Sequence, residues 1–229
     1  MITQFNDFNF IQPDQEQIEI DQVIEEYLGT FERRMMVFEN FNWDKPVFSE
    51  YSNQSMKPYL ENLGTLIGEK VSTYYRVINS KSDLSYYMKT RGVIWDFSQS
   101  HGCQVWYFGF HGSPEGINLQ DEIITKQDIL ELFDSKFFDF PNILYFSSCY
   151  LFEDDDDFGK ELLKRSGSRG VFGFKNRIGF SVSTLIDLFL LINFFKYENG
   201  DPFDNLEEIY NNVIQGFPVS KEYGFTLYS

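Results

Sequence analysis

The sequence predicts an α/β fold: a three-layer αβα sandwich in which helices cover both faces of a mostly parallel β-sheet. Segments rich in β-branched and aromatic residues alternate along the chain with segments of helical periodicity, which is the pattern of repeated βα units. Most of the strand segments are continuous apolar runs, such as QVWYFGF and NILYFSS, and such runs are typical of strands buried on both faces. A sheet of this kind binds ligands at the carboxyl ends of its strands.

The N-terminal half predicts a helical extension, residues 1–33, followed by the α/β domain, residues 34–229. A helix is expected to start near Pro13 in the extension. The first elements of the domain are a strand over 35–41, a loop around Pro46, a helix over 56–70 capped by Ser55, a strand over 71–78, and a helix from Ser80 to about Thr90 with Asp83 in its first turn.

The C-terminal half continues this alternation. Thr125 is expected to start a helix, because a hydroxyl at the N-cap and an acid three residues later, Asp128, satisfy free backbone amides there. The predicted elements are a strand over 104–110, a small hairpin, the helix after Thr125, a strand over 142–148, a helix over 158–165, a strand over 169–174, and helices over 182–197 and 205–213. The tail FPVSKEYGFTLYS is not assigned to a helix or a strand.

Composition and charge exclude several classes of function. The chain has 35 acidic and 19 basic residues and a formal charge of −16, whereas nucleic acids and anionic membranes both select clustered Lys and Arg. The most apolar run, Leu185–Phe195, is interrupted by Asp187 and Asn193 and is shorter than the roughly 20 residues of a spanning helix, so it predicts a buried helix. We therefore expect no nucleic-acid and no membrane partner.

The two cysteines, Cys103 and Cys149, are too few for a disulfide framework. One bridge between them is compatible with the sequence, but a reduced intracellular chain is the simpler interpretation. The N-terminus also lacks the basic and apolar regions of a secretory signal, so the expected location is the cytoplasm.

One histidine and one cysteine follow two successive predicted strands. His111 comes directly after QVWYFGF, and Cys149 comes directly after NILYFSS. Because consecutive strands of a parallel sheet are often neighbours, the two side chains are expected near each other at its carboxyl edge. A thiol becomes an effective nucleophile when a base takes its proton, and a histidine within hydrogen-bond reach is such a base.

Gly112, directly after His111, allows the backbone to approach a substrate closely because it has no Cβ. Its N–H and that of Cys149 would stabilise the negative charge that develops on an attacked carbonyl. The structural interpretation is that His111 is a hydrogen-bonded turn residue and Cys149 fills space in the interior. For either residue alone, this structural interpretation is the better one. The occurrence of both residues at matching strand ends favours a catalytic role for the pair.

His101 and Cys103 form a second pair, to which we assign a structural role. His101 precedes its strand, which places it at the opposite edge of the sheet. Cys103 enters the strand and is expected to face the core, where a free cysteine is commonly a small hydrophobe. Since the two histidines and two cysteines show no zinc-type spacing, we also expect no metal site built from them.

These motifs resemble the caspase-like cysteine peptidases, whose fold is shared by caspases, metacaspases, clostripain, separase and bacterial CHAT proteases. Such proteins place His-Gly after one apolar strand and Cys after the next, as WYFGFHGSPEG and ILYFSSCYL do here. The segment SGSRGVFGFKNRIGFSVSTLIDLFLLINFF is similar to the strand and helix that follow in CHAT-type proteins. The resemblance covers about residues 35–197 and implies a caspase-like fold.

The resemblance also implies roles for individual residues. His111 would be the general base, Cys149 the nucleophile and Gly112 an oxyanion donor. The residues that fall where relatives line the pocket for the residue before the cut are Ser147, Gly173, Phe174 and Lys175. Caspases have Gln-Ala-Cys where this chain has Ser-Ser-Cys, so the Gln that helps caspases hold an aspartate is missing. Arg169, Lys175 and Arg177 are alternative partners for an acidic side chain, or else solvated surface charges.

The acidic run EDDDD, Glu153–Asp157, follows the cysteine closely. Its first interpretation is a solvated acidic loop. The alternatives are attraction of a basic substrate and a calcium site of carboxylate oxygens, although the run lacks the spacing of an EF-hand loop.

The predicted function is that of an intracellular cysteine endopeptidase of caspase-like fold, which acts on a protein or peptide substrate through an acyl-enzyme and uses no cofactor. Family analogy adds activation by a partner protein and a role in bacterial defence. One alternative is a catalytically inactive caspase-fold module that binds a partner protein. Another is a small-molecule hydrolase or acyltransferase that uses the same two residues.

Overall fold

The computed structural model describes residues 33–40, 55–89, 103–119, 122–133, 140–153 and 156–229. The helix predicted from Pro13, the loop around Pro46 and His101 lie outside the described residues. The first described strand begins at Arg33, the last residue of the predicted extension.

Strands and helices alternate along the described chain, as the sequence predicts. The strands are β1 (Arg33–Glu39), β2 (Val71–Val77), β3 (Val105–Gly109), β4 (His111–Ser113), β5 (Gly116–Asn118), β6 (Ile123–Thr125), β7 (Ile143–Ser147), β8 (Gly170–Phe174) and β9 (Phe225–Tyr228). The α-helices are α1 (Lys57–Glu61), α2 (Leu63–Ile67), α3 (Lys81–Lys89), α4 (Lys126–Leu132), α5 (Asp156–Ser166), α6 (Phe180–Phe195) and α7 (Leu206–Gly216). Two short 3₁₀ helices are Pro202–Asp204 and Pro218–Lys221.

The main sheet has the strand order β2-β1-β3-β7-β8-β9. Its first five strands run parallel, and β9 pairs antiparallel with β8. A separate antiparallel sheet of β4, β5 and β6 contains the predicted hairpin and follows directly from β3. The predicted α/β fold with a mostly parallel sheet is therefore confirmed.

Helices cover both faces of the main sheet. Successive side chains of a strand point to opposite faces, so Phe108 and Phe146 stack on one face, with ring centroids 4.6 Å apart, among residues of α3, α4 and α5. Tyr107 and Tyr145 lie on the other face, among residues of α1, α2, α6 and α7. The near-continuous apolar sequence of β3 and β7 reflects this double burial.

Two elements differ from the sequence prediction. The helix predicted over 56–70 is divided into α1 and α2 around Asn62, and it ends at Gly68, whose φ of 73° is the left-handed conformation that glycine favours after a helix. The tail, for which no element is predicted, supplies β9 at the edge of the sheet. A four-residue edge strand is too short for its alternation to be distinguished from a loop.

The predicted cap of α4 is confirmed. The Asp128 amide donates to the Thr125 hydroxyl at 3.2 Å, and the Thr125 amide donates to the Asp128 carboxylate at 3.0 Å. The same reciprocal pair forms at the start of α3, where the Asp83 amide donates to the Ser80 hydroxyl and the Ser80 amide donates to the Asp83 carboxylate, both at 3.0 Å. Local polar residues therefore fix where these helices begin.

Replacing Thr125 by alanine is expected to lower the free energy of unfolding by about 1 kcal/mol, because an amide of the first turn of α4 loses its acceptor. Thr125→Ser keeps the hydroxyl and is expected to stay within about 0.5 kcal/mol of wild type. Urea unfolding of both variants measures the difference. Equal stabilities of the alanine and serine variants would contradict the role of this cap.

Helix α6 is the long apolar helix predicted from Leu185–Phe195, and it packs on the sheet beside α7. Among the helices of the described ranges, none combines the length and the apolar character that crossing a membrane requires. Asp187, which interrupts the apolar sequence, is fully buried in α6.

Candidate active site

The two strands that precede His111 and Cys149 are neighbours in the main sheet. β3 pairs in parallel with β7, and Gly109 lies opposite Ser147. The Phe110 amide donates to the Ser147 carbonyl oxygen at 3.4 Å, just beyond the last paired residues. Because the two chain segments leave the sheet side by side, His111 and Cys149 follow at the same carboxyl edge.

The backbone of the His-Gly pair lies directly against the backbone of Cys149. A methyl group built on Gly112 would overlap the Cys149 carbonyl oxygen and would lie 2.9 Å from the Cys149 amide nitrogen. In β4, His111 pairs with Asn118, so the small sheet holds the His-Gly pair in this position. A residue with a Cβ at position 112 would force the two segments apart.

The sulfur of Cys149 faces the loop between β8 and α6. The Ile178 amide donates to Sγ at 3.4 Å, and the thiol donates to the Ile178 carbonyl oxygen at 3.3 Å. Cys149 is half-buried, which leaves part of the residue accessible from solvent. An amide donor aimed at the sulfur can also serve a thiolate, since hydrogen bonds to ionised acceptors are the stronger ones.

The turn after Cys149 has a strained backbone. Tyr150 has a φ of 57°, and the left-handed conformation costs a non-glycine residue on the order of 1–2 kcal/mol. The Tyr150 amide donates to the Asn176 carbonyl oxygen at 3.4 Å, which ties the turn to the end of β8. Such strain is often found at functional sites, and here it directly follows Cys149, the predicted nucleophile.

A buried carboxyl group lies next to the ends of β3 and β7. Asp187 in α6 accepts hydrogen bonds from Tyr107 and Ser147, both at 2.8 Å, and from Tyr145. Burial raises the pKa of Asp187 to about 7, although the three donors act in the opposite direction. The sequence gives one signal for this group, an acid inside the most apolar helix, which by itself does not identify partners.

A second buried carboxyl group ends β1, opposite Gly109. Glu39 accepts hydrogen bonds from the Ser55 hydroxyl at 2.8 Å, the Met56 amide at 2.7 Å and the Tyr75 hydroxyl. Burial raises the pKa of Glu39, and these three donors act against that shift. Its position in MMVFENF predicts burial in a strand, but nothing in the sequence shows which donors would satisfy it.

The residues predicted to line a pocket lie in β7, in β8 and just after β8. Ser147 is buried, and its hydroxyl donates to Asp187. Gly173 and Phe174 are buried within β8, while Lys175 is half-exposed and forms an ion pair with Asp156 at 2.6 Å. A role in substrate binding stays a prediction for these four residues.

Both cysteines are free thiols, and they differ in burial. Cys103 is fully buried in the core, as the sequence predicts, and this burial raises the pKa of its thiol. A thiol that stays protonated and out of contact with solvent is unsuited to nucleophilic attack. Cys149 is therefore the cysteine whose position fits chemistry.

Within the part of the chain that the structure describes, no three acidic, histidine or cysteine side chains are grouped as a metal site. In the acidic run, Asp156 pairs with Lys175 and accepts a hydrogen bond from Tyr228 at 2.9 Å. Residues 154 and 155 lie outside the described residues, so a calcium site at this run stays a prediction.

Residues 45–229 match the model of a protein family of unknown function, DUF6642. The match spans most of the chain, so the chain belongs to this family. A comparison with curated proteins found no match.

Proposed function

We propose that this member of the DUF6642 family is a cysteine endopeptidase of caspase-like fold, with His111 as its general base and Cys149 as its nucleophile. The observation that carries the proposal is the contact between the Gly112 and Cys149 backbones at the carboxyl edge of the sheet. This contact joins the two short motifs on which the resemblance to caspase-like peptidases rests. It also lies at the edge where parallel sheets bind ligands.

The chemistry follows the usual course of acyl transfer to a thiol. His111 takes the proton from Cys149, and the sulfur attacks the carbonyl carbon of the scissile peptide bond. The N–H groups of Gly112 and Cys149 stabilise the negative charge on the carbonyl oxygen. When the C–N bond breaks, the imidazolium gives its proton to the leaving amine, and an acyl-enzyme on Cys149 remains.

Water completes the cycle. His111 takes a proton from a water molecule, the resulting hydroxide attacks the thioester carbon, and the carboxylic acid product leaves with release of the Cys149 sulfur. These steps require no metal ion or organic cofactor. By the same resemblance, we place the enzyme in the bacterial cytoplasm as an effector protease that a partner protein activates, with a role in defence.

A peptide library tests the proposed function. The wild-type chain is expected to cleave a defined subset of peptides, and Cys149→Ala is expected to cleave none, because no other described thiol is accessible. Cys103→Ala serves as the matched control and is expected to cleave the same peptides as wild type. Absence of cleavage by the wild type, with and without cell extract as a source of an activating partner, would favour the alternative of a partner-binding module.

A further inference from the structure

Asp187 connects helix α6 to both strands that end at the candidate active site. Its carboxyl group accepts hydrogen bonds from Tyr107 in β3 and from Tyr145 and Ser147 in β7. All four side chains are buried. Breaking any of these hydrogen bonds would leave a buried polar group without a partner and without access to water, which costs free energy. The carboxyl group therefore fixes α6 against the ends of the two strands.

Ser147 is the partner of Asp187 that lies nearest to the nucleophile. It is the last residue of β7, two residues before Cys149, and the strained turn at Tyr150 follows. Helix α6 also approaches the sulfur through Ile178, which precedes the helix by two residues and is hydrogen-bonded to Cys149. The position of Cys149 therefore depends on α6 from two directions.

The fold leaves room for this cluster at Gly109. Gly109 lies opposite Ser147 and on the same face of β3 as Tyr107. A methyl group on Gly109 would lie 2.8 Å from Cε1 of Tyr107 and 3.4 Å from its hydroxyl oxygen. The missing side chain thus provides the space that the Tyr107 ring occupies beside Asp187.

Protonation changes what Asp187 can bind. A carboxylate only accepts hydrogen bonds, so all three hydroxyl groups can donate to it at once. A protonated carboxyl group donates one hydrogen bond, which forces one of the three partners to reverse, and its remaining hydrogen bonds lose the assistance of the charge. Burial raises the pKa of Asp187 to about 7, so both forms are accessible under physiological conditions.

The ionisable groups that act on the pKa of Asp187 lie on β1, β3 and β7. Burial raises the pKa of Tyr107 and of Tyr145, so both stay neutral hydroxyl donors. From β1, the negative charge of Glu39 contributes to the raised pKa of Asp187. On α7, which packs against α6, Glu208 is hydrogen-bonded to the Tyr197 hydroxyl, and the Tyr210 hydroxyl donates to the Phe225 carbonyl oxygen.

We propose that Asp187 is a positioning residue of the His111–Cys149 site, which in its carboxylate form holds Ser147 and, through Ser147, the turn that presents Cys149. It does not touch the reacting atoms. The inference rests on the proposed function, since it concerns the reactivity of Cys149. According to this inference, the reactivity of Cys149 depends on the protonation of Asp187, which is not one of the two catalytic residues.

The rate of Cys149 alkylation by iodoacetamide at pH 8, above the Asp187 pKa of about 7, tests this role without a known substrate. Ser147→Ala removes the link to the turn, and Asp187→Asn removes the charge. Both variants are expected to react about tenfold or more slowly than wild type, because small displacements of a reacting group carry large rate effects. Tyr210→Phe is the matched control: it removes a hydrogen bond to the Phe225 carbonyl oxygen on the same face of the sheet, leaves the Asp187 partners in place, and is expected to react at the wild-type rate.

The pH dependence of thermal unfolding gives a second readout for Asp187. A carboxyl group whose pKa is raised by folding stabilises the folded protein below its unfolded value of about 4, and this contribution is lost as the pH rises through about 7. The unfolding temperature of wild type is therefore expected to fall over this pH range more steeply than that of Asp187→Asn. Glu39, whose charge acts on Asp187, is present in both proteins, so the difference between them reports the loss of Asp187 together with its effect on Glu39.

The outcomes separate this inference from the proposed function. Rapid wild-type alkylation that depends on His111 but is unchanged in Ser147→Ala and Asp187→Asn would overturn the role of Asp187 alone. Slow wild-type alkylation that His111→Ala does not alter would overturn the proposed function, and the role of Asp187 with it. Should Asp187→Asn fail to fold, Ser147→Ala against Tyr210→Phe still decides between a positioning role and a purely structural one.

Discussion

Replacing His111 by alanine is expected to lower kcat/KM for peptide cleavage by about 10²- to 10⁴-fold, the range that a general base commonly contributes. In the proposed mechanism His111 takes the proton of Cys149 and protonates the leaving amine, and the alanine side chain can do neither. The fold should persist, because His111 is only half-buried and lies in a three-residue strand. Cleavage of a library-derived peptide measures the effect, and circular dichroism confirms folding.

His101 offers the matched control for this substitution, since it is the other histidine of the chain. Its position before the strand predicts that it lies at the opposite edge of the sheet. His101→Ala is therefore expected to keep the wild-type kcat/KM. Equal activities of His111→Ala and wild type would remove His111 from the mechanism.

Replacing Gly112 by alanine is expected to reduce kcat/KM by about 10²-fold, the effect of displacing a catalytic group by roughly 1 Å. The added methyl group would overlap the Cys149 carbonyl oxygen, and backbone atoms on both sides cannot rotate away. The His-Gly segment and the nucleophile would therefore be pushed apart. The same overpacking is expected to lower the free energy of unfolding by about 1–3 kcal/mol.

Gly179→Ala is the matched control for Gly112→Ala. A methyl group at position 179 would meet no atom within 4 Å, and the backbone there is extended, so activity should be retained. Because alanine is a weaker N-cap than glycine, this control is expected to lose up to about 1 kcal/mol of stability. Retained cleavage by Gly112→Ala would show that the close approach of these two backbones is not required for activity.

The order of strands and helices could be predicted from the sequence, because apolar patterns and helix-capping residues determine where these elements form. The apolar runs of β3 and β7 predict strands buried on both faces, and Thr125 and Asp128 locate the start of α4. β9 could not be predicted, because a short antiparallel edge strand is defined by its partner β8 and not by its own pattern.

The residues of the candidate site also divide into those that the sequence could predict and those that it could not. His111 and Cys149 could be selected because rare residue types follow two apolar strands. Asp187 could not be assigned, since its three partners are distant in the chain and meet it only after α6 packs on the sheet. The resemblance predicts Ser147, two residues before the cysteine, as a pocket residue, and the structure adds that its hydroxyl donates to Asp187.

The alkylation rates of the two cysteines at neutral pH, followed by mass spectrometry of labelled peptides, test most directly whether an imidazole activates a sulfur at this edge of the sheet. We predict that Cys149 reacts rapidly, that His111→Ala slows its reaction greatly, and that Cys103, whose burial raises its pKa, stays unlabelled in the folded protein. Equal labelling of Cys103 and Cys149, unaffected by His111→Ala, would contradict the assignment of a His-Cys peptidase.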